Sequence, residues 1–224
     1  MSTDGTGEAR TTRTNAIYQQ LRASILRAEF APGSKLNMRA LCERFDVSLS
    51  PLREALNRLA SEGLVTPLEQ RGFIVPTVTQ EGLEELVLAR SWICEIGLRQ
   101  SIARGDQAWE EQLLLAYHRM SRIPKVKEDP NERSPEWSKA HKDFHRALIS
   151  ASGSQWITRF CDEMFEAAER YRYVARKADR VRSAVANEHE AIMQAALDRN
   201  ADLAVQLLLG HFNRTAERFD GFFK

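Results

Sequence analysis

Residues 48–75, SLSPLREALNRLASEGLVTPLEQRGFIV, restrict the fold more than any other part of the chain. Ser50 and Pro51 form a helix start. A serine can cap the free N–H groups of a first turn, and proline suits the first helical position because its missing donor would have no partner there. Leu52, Ala55, Leu56 and Leu59 recur at helical spacing and make one apolar face, with Arg53, Asn57 and Arg58 off it. Gly63 stops the helix. Leu64-Val65-Thr66 and Phe73-Ile74-Val75, joined by a polar turn with Arg71-Gly72 at its tip, read as a two-stranded hairpin. A helix with a dry face, arginines on the other face and a basic hairpin tip suits a reader of duplex DNA. Its N-terminus would enter the major groove and the tip would reach backbone or minor groove. The plainer reading of the same spacing is a small helix-hairpin unit with ordinary surface arginines.

The charge distribution bears on that choice. From Arg10 to Ala60 there are nine Lys/Arg against four Asp/Glu, a net of +5, whereas from Thr79 onward there are 22 against 23. A basic N-terminal part on a neutral remainder fits a nucleic-acid module attached to something else. The 224 residues allow one large or two small domains, and 43% hydrophobic content is ordinary for a globular chain. Cys42, Cys94 and Cys161 include no CxxC pair, which argues against a disulfide framework or zinc finger and for a reduced, cytoplasmic setting. No apolar run approaches the roughly 18 residues of a membrane span. MSTDGTGEARTT lacks the apolar core of a signal peptide, and residues 1–11 read as a disordered lead.

Ile17, Leu21, Ile25 and Leu26 share one face of a first helix over Thr14–Glu29, broken by Ala31-Pro32-Gly33. Asn37 can cap a short second helix, Met38 to Phe45. Pro76 to Val78 is a linker, and from Thr79 the pattern is helical without strands. Thr79 caps a long helix to Arg104, and Asp106 caps one running to about Met120. Residues 122–134 form a solvated loop, Ser134-Pro135 opens a helix stopped at Gly153, and Ser154 caps another to about Arg176. Two last helices cover Ser183–Asp198 and Asp202–Phe219, joined at Arg199-Asn200-Ala201. The expected fold is therefore mainly α, with a bundle of about six helices after the hairpin, an architecture whose interior often holds a ligand or metal.

His141 and His145 are four apart and project from one helix face. His189 and His211 each lie 11 residues from Asn200, on either side of the turn. In an antiparallel pair that places both about 16 Å from the turn at ~1.5 Å per residue, hence level with each other. Four imidazoles from three helices can surround one zinc, nickel or similar divalent ion, one per chain. The alternative is two surface pairs or satisfied core histidines. His118 fits neither set and is expected to be exposed or to pack between helices.

The N-terminal residues carry a resemblance. Gly33-Ser34-Lys35-Leu36, Leu41, Phe45, Val47-Ser48, Pro51-Leu52-Arg53-Glu54-Ala55-Leu56, Leu59, Glu62-Gly63-Leu64-Val65 and Arg71-Gly72 resemble the winged helix-turn-helix of GntR-type transcriptional regulators over residues 12–77. The resemblance implies that Arg39, Ser48, Ser50, Arg53, Arg71 and Gly72 face DNA, with Leu49 standing where many members carry an arginine. Residues 79–222 resemble the FCD-type domain of the FadR subfamily, through Arg90, Asp143-Phe144-His145-Arg146-Ala147-Leu148, Ser152-Gly153, Glu188-His189 and His211. There three histidines and an aspartate bind a divalent metal. His145, His189 and His211 match the histidines, and His141 takes the aspartate position. Arg90-Ser91-Trp92-Ile93, Ser101-Ile102, Gly105-Asp106 and Trp109-Glu110 resemble CsiR-like repressors of small-acid catabolism, with Cys94 where many have a glutamate.

The resemblance further implies a homodimer on a pseudo-palindromic operator and a small carboxylate effector, with no membrane partner. Arg90, Tyr171 and Arg172 are the candidates for the acid. Against this, the arginines at 170, 172, 176, 180 and 182 read mostly as a solvated face. Two competing functions are a regulator for which the metal is itself the signal, and a metal-dependent hydrolase or oxygenase. The enzyme lacks support from any nucleophile motif, and Asp143 and Glu188 are expected to point away from the histidines.

Overall fold

The structure, a computed structural model, describes residues 5–69, 71–126, 134–177, 188–217 and 219, with the backbone alone for residues 5–13 and 175–177. The chain divides into two compact units, residues 1–78 and 79–224.

In the first unit, α1 (Gly5–Leu26), β1 (Lys35–Leu36), α2 (Met38–Phe45), α3 (Leu49–Ser61), β2 (Thr66–Leu68) and β3 (Gly72–Ile74) follow in order. Ile17, Leu21 and Ile25 of α1 pack with Leu52, Leu56 and Leu59 of α3, and Leu36 and Phe73 complete the core. Burial of these faces, at roughly 1.5–3 kcal/mol for each large side chain, is what holds so small a unit together. The wing is a winged helix-turn-helix sheet of three antiparallel strands in the order β1-β3-β2, not the two expected. Two residues are too few to show a strand period, so β1 was not legible. Gly33, at φ +78°, turns the chain so that its N–H donates to the Val75 carbonyl, and Val75 N–H donates to Ser34. Pro67 is tolerated because β2 is an edge strand.

Two starts differ from expectation. α1 begins at Gly5, inside the stretch assigned to a disordered lead, since no proline interrupts residues 5–26. α3 begins at Leu49 with Ser48, not Ser50, at the cap position, and Ser48 makes no side-chain cap hydrogen bond. Asp46 adopts the left-handed conformation (φ 49°, ψ 56°), which turns the chain at once into α3 and leaves Pro51 at its third position. The far end closes as the sequence implied. Gly63, at φ +69°, donates to Ala60 and Leu64 donates to Leu59, the two bonds of a Schellman cap.

The second unit consists of α4 (Gln80–Arg104), α5 (Gln107–Arg122), α6 (Pro135–Ile149), α7 (Gln155–Lys177), α8 (Glu188–Leu197) and α9 (Ala201–Glu217). Thr79, Asp106 and Ser134 cap as expected, accepting from Gly82, Trp109 and Trp137 N–H groups at 3.0–3.1 Å. α4 packs on α7 and α9, α5 on α6, and α8 on α9, around Leu98, Leu113, Phe144, Leu148, Ile192 and Phe212. Most of the loop expected at 122–134 and the start of the helix expected at Ser183 lie outside the described residues. Among the described residues no helix is long and apolar enough to cross a membrane.

Candidate metal centre and DNA-facing surface

α6 is amphipathic, and the face that buries Trp137, Phe144 and Leu148 also carries His141 and His145 into the interior. α8 and α9 supply His189 and His211 from either side of a turn in which Arg199 is left-handed (φ 58°) and Asn200 Oδ1 accepts from Leu203 N–H. The level match read from residue counting holds. All four rings are at least 90% buried, and one ligand nitrogen from each lies within 4.8 Å of the others.

The contacts among them are informative. His141 Nε2 lies 3.0 Å from both His145 Nε2 and His189 Nε2. A neutral ring nitrogen has one hydrogen or one lone pair, so His141 Nε2 cannot serve both neighbours along good hydrogen-bond directions. Two nitrogens each about 2.1 Å from a shared ion lie about 3.0 Å apart at a right angle and about 3.4 Å apart at the tetrahedral angle, so the spacing is close to that of nitrogens sharing an ion. His211 Nδ1 lies 2.7 Å from Glu188 Oε2, and Arg214 Nε donates to Glu188 Oε1 at 2.8 Å. A carboxylate only accepts, so Nδ1 carries the proton and Nε2 the lone pair. His211 Nε2 is buried without a hydrogen-bond partner. That is the carboxylate–histidine arrangement which orients a ring toward a metal.

Burial is the main force on the ring pKa values. It pushes His189 down to about 2 and His211 to about 4, and drives His145 well below the ordinary histidine value, with Arg90 and Arg172 adding repulsion. Neutral rings are what a metal needs. Glu188 is held at about 2, chiefly by its hydrogen bond with His211.

Arg90 is buried in α4, its guanidinium 3.9 Å over the Phe212 ring and 5.2 Å from that of Phe165. Its Nε has no hydrogen-bond partner, and burial lowers its pKa to about 10. Arg90 and His145 line one cleft with Cys94, Cys161, Phe165 and Phe212. Arg170 and Arg172 are buried, against the expectation of a solvated face, and Arg172 pairs with Glu169. Glu169 in turn lies 3.9 Å from His141 Nδ1. Tyr171 is one residue on from Arg170, about 100° around the helix. Its ring packs with Leu83 and Phe219, and its hydroxyl meets the Thr79 backbone at the start of α4. His118 is exposed.

Glu188 corrects one expectation: it touches a histidine, on the neighbouring helix rather than its own. Sequence spacing within α8 could not show a contact reaching α9. Asp143 does point away and pairs with Lys139.

The DNA-facing candidates all lie in the first unit and at its surface. Ser48, Leu49, Ser50 and Arg53 are exposed at the start of α3, Arg39 is exposed on α2, and Arg71 is exposed at the wing tip. Arg39 pairs with Glu43 in solvent. A Cβ on Gly72 would stand 3.7 Å from Met38 Cγ, which places the start of β3 near the start of α2.

Comparisons with known proteins agree on both units. Residues 13–75 match the family described as bacterial regulatory proteins, gntR family, and residues 85–214 match the FCD domain. The HTH-type transcriptional regulator BphR of Paraburkholderia xenovorans is 37% identical, over 88% of this chain and 80% of its own. The HTH-type transcriptional repressor GlaR of Escherichia coli is 30% identical, over 87% and 90%. A crystal structure of a GntR transcriptional regulator from Rhodococcus sp. RHA1 superposes with a TM-score of 0.72 at 27% identity, covering 95% of this chain and all of that one.

Buried neutral histidines give a pH dependence with a definite sign. Their folded pKa values lie below the ordinary 6.5, so the unfolded chain takes up protons first. In chelator-treated protein the thermal midpoint should fall as pH drops from about 6.5 toward about 4, by at most roughly 1.4 kcal/mol per histidine per pH unit. Glu188 adds to the loss only below its ordinary 4.5, down to about 2. A midpoint that stays level from pH 7 to 5 would show that these rings protonate freely when folded.

Proposed function

The chain belongs to the gntR family of bacterial regulatory proteins, its second unit is an FCD domain, and it is a ligand-responsive transcriptional regulator rather than an enzyme; from that premise we propose a homodimeric cytoplasmic repressor whose helical unit holds one divalent transition metal and a small carboxylate. The observation that carries the reading is the convergence of four buried imidazoles beside a buried arginine whose Nε lacks a partner. The repressor sign is supported by the likeness to GlaR.

On the metal, His141, His145, His189 and His211 are the ligands, with Glu188 orienting His211. With four histidines bound, an ion that takes five or six ligands would still offer a position to an anionic oxygen, whereas tetrahedral zinc would have to expand its coordination or release one ring. Arg90 binds the acid's second oxygen, since a guanidinium recognises carboxylate through two parallel hydrogen bonds. Arg172, held by Glu169, adds positive potential. The cleft beside Arg90 has a volume of ≈ 10 Å³, about one water's worth, so an organic acid enters only by displacing side chains that line it from α4, α6, α7 and α9. α4 follows directly on the linker at residues 76–78, which gives that displacement a route to the DNA-binding unit. The coupling is reciprocal: operator DNA weakens effector binding by the factor with which effector weakens DNA binding.

On DNA, α3 presents its N-terminus to the major groove of each half-site, with Arg53 reading a base edge. Arg39, Ser48, Ser50 and the Arg71-Gly72 tip hold phosphates or groove walls. Leu49, 44% exposed, gives an apolar contact of the kind that recognises a thymine methyl group. Dimerisation uses α4, where Leu88, Trp92 and Ile96 recur every four residues and stand half or more exposed. A second copy of the same row is the natural cover, because a two-fold dimer buries one self-complementary patch.

Four outcomes follow. Tag-free protein purified without chelator should contain about one transition-metal ion per chain, and His189→Ala should lose it. A panel of small carboxylates should bind the metal-loaded protein by calorimetry, with Arg90→Lys weakening affinity at least tenfold. Operator affinity that changes with metal alone would favour the metal-sensing alternative instead. Arg53→Ala should cost about 1–3 kcal/mol in operator binding, and Leu49→Ala should relax preference at one thymine; unchanged binding in both would move the reading surface elsewhere. Trp92→Glu should convert a dimer to a monomer in light scattering while the helical circular dichroism is retained. A dimer that persists would place the interface on another face.

A further inference from the structure

Two of the three cysteines face one another in the helical unit. Cys94 on α4 and Cys161 on α7 come from positions 67 residues apart, on helices that pack together, and their Sγ atoms are 3.2 Å apart. Both side chains are buried, and both line the cleft that holds Arg90. We propose that Cys94 and Cys161 are an oxidisable dithiol, closed by hydrogen peroxide to a disulfide that ties α4 to α7 beside Arg90.

Distance chooses this over two other uses of paired thiols. A disulfide needs the sulfurs at about 2.05 Å, so they must approach by little more than 1 Å. Two thiolates on one zinc ion, each about 2.3 Å away at the tetrahedral angle, would stand about 3.8 Å apart, which is farther than they are now. Buried cysteines used only as small apolar side chains have no need of a charged neighbour. Here a buried guanidinium is one: the hydrogen bond with Cys161 lowers the Cys94 pKa, burial opposes it, and Arg90 lowers it further. Cys161 is pushed the other way, first by the same hydrogen bond and then by burial. Arg90 hydrogen-bonds Cys94 and reaches Cys161 only through its charge, which marks Cys94 as the attacking and Cys161 as the resolving partner, the pairing that redox-sensitive cysteines use. The cleft volume of ≈ 10 Å³ is about one water, so a small oxidant such as peroxide reaches the sulfurs with a slight shift of the lining side chains, and bulky oxidants are excluded.

The chemistry balances in two steps. The Cys94 thiolate attacks one peroxide oxygen, the O–O bond breaks, and the departing hydroxide takes a proton to leave as water, giving a Cys94 sulfenic acid. The Cys161 sulfur then attacks Cys94 Sγ. The S–O bond breaks, the S–S bond forms, and the released hydroxide takes up the Cys161 proton as a second water. Sulfur is oxidised and peroxide oxygen reduced. In a reducing compartment the bond is transient and is reversed by thiol–disulfide exchange. The modification stands independently of the effector proposed above.

The test uses the full-length wild-type protein. It is treated with a few equivalents of hydrogen peroxide, alkylated under denaturing conditions, digested without reductant and mapped by mass spectrometry. The expected product is a single linked species joining the peptides of Cys94 and Cys161, with loss of two hydrogens from the intact chain, reversed by dithiothreitol. Cys42, half-buried in the other unit, remains alkylatable. In Cys161→Ser the Cys94 sulfenic acid should accumulate and be trapped by dimedone. The proposal is overturned if Cys94 and Cys161 are both still alkylated once Cys42 is oxidised, if the link involves Cys42, or if wild type stops at the sulfenic acid.

Discussion

Packing four imidazoles into a hydrophobic interior is the constraint from which the rest of the helical unit follows. Each ring nitrogen removed from water without a partner costs about 1–3 kcal/mol. The structure limits that cost with carboxylates and aromatic walls. Glu188 takes the proton of His211, Trp137 stacks on His141 at 4.5 Å, and Phe144, Phe165 and Phe212 surround the remaining faces. Arg90 and Arg172 share the same interior, each lying over an aromatic face, and Arg172 also has Glu169. What the chain's own groups leave over is a set of nitrogens facing one another, His211 Nε2 among them. The proposed cation is the one species that would bond several of them at once.

Such a cluster tolerates little slack in its supports, and the turns show where precision is kept. His141 and His145 share α6, so one helix fixes two ligands. His189 and His211 depend on the Arg199-Asn200 turn, where an added residue would rotate one ring by about 100° away from the other three. In the first unit the equivalent joints are the left-handed Asp46 between α2 and α3 and the glycine cap after α3. Both set the direction of α3 while leaving its N-terminus exposed. In each unit a left-handed turn residue thus aims side chains that the unit presents, Asp46 for α3 and Arg199 for His211.

The helices of the second unit, three of their caps and the four histidines were legible because each rests on local periodicity, whereas the starts of α1 and α3 were not. Leu52 to Leu59 and the His141/His145 pair repeat at helical spacing, and Thr79, Asp106 and Ser134 cap where the apolar runs begin. The level match of His189 and His211 required only counting from a turn. What escaped was contact between elements. Glu188 on α8 reaches His211 on α9, Arg172 turns inward to Glu169, and Cys94 meets Cys161 across the α4–α7 packing. None of these has a signature within its own segment. β1 was missed for a different reason: two residues carry no period, and only their pairing with β3 defines them.

The proposed switch has its own electrostatic logic. Where related domains are expected to place an aspartate, this chain has His141, so four neutral rings would meet a divalent ion with no carboxylate among its ligands. The nearby carboxylates are already engaged, Glu169 by Arg172 and Glu188 by His211 and Arg214. Arg90 adds a further buried positive charge. The centre so formed is short of negative charge, and an anionic acid is the ligand that corrects it. A centre with an aspartate would be partly neutralised before the acid arrived. In the proposed switch the exchange of aspartate for histidine would thus shift work from the protein to the effector, and a larger share of the site's stabilisation would become available for coupling to DNA. Allosteric coupling typically needs only about 1–3 kcal/mol.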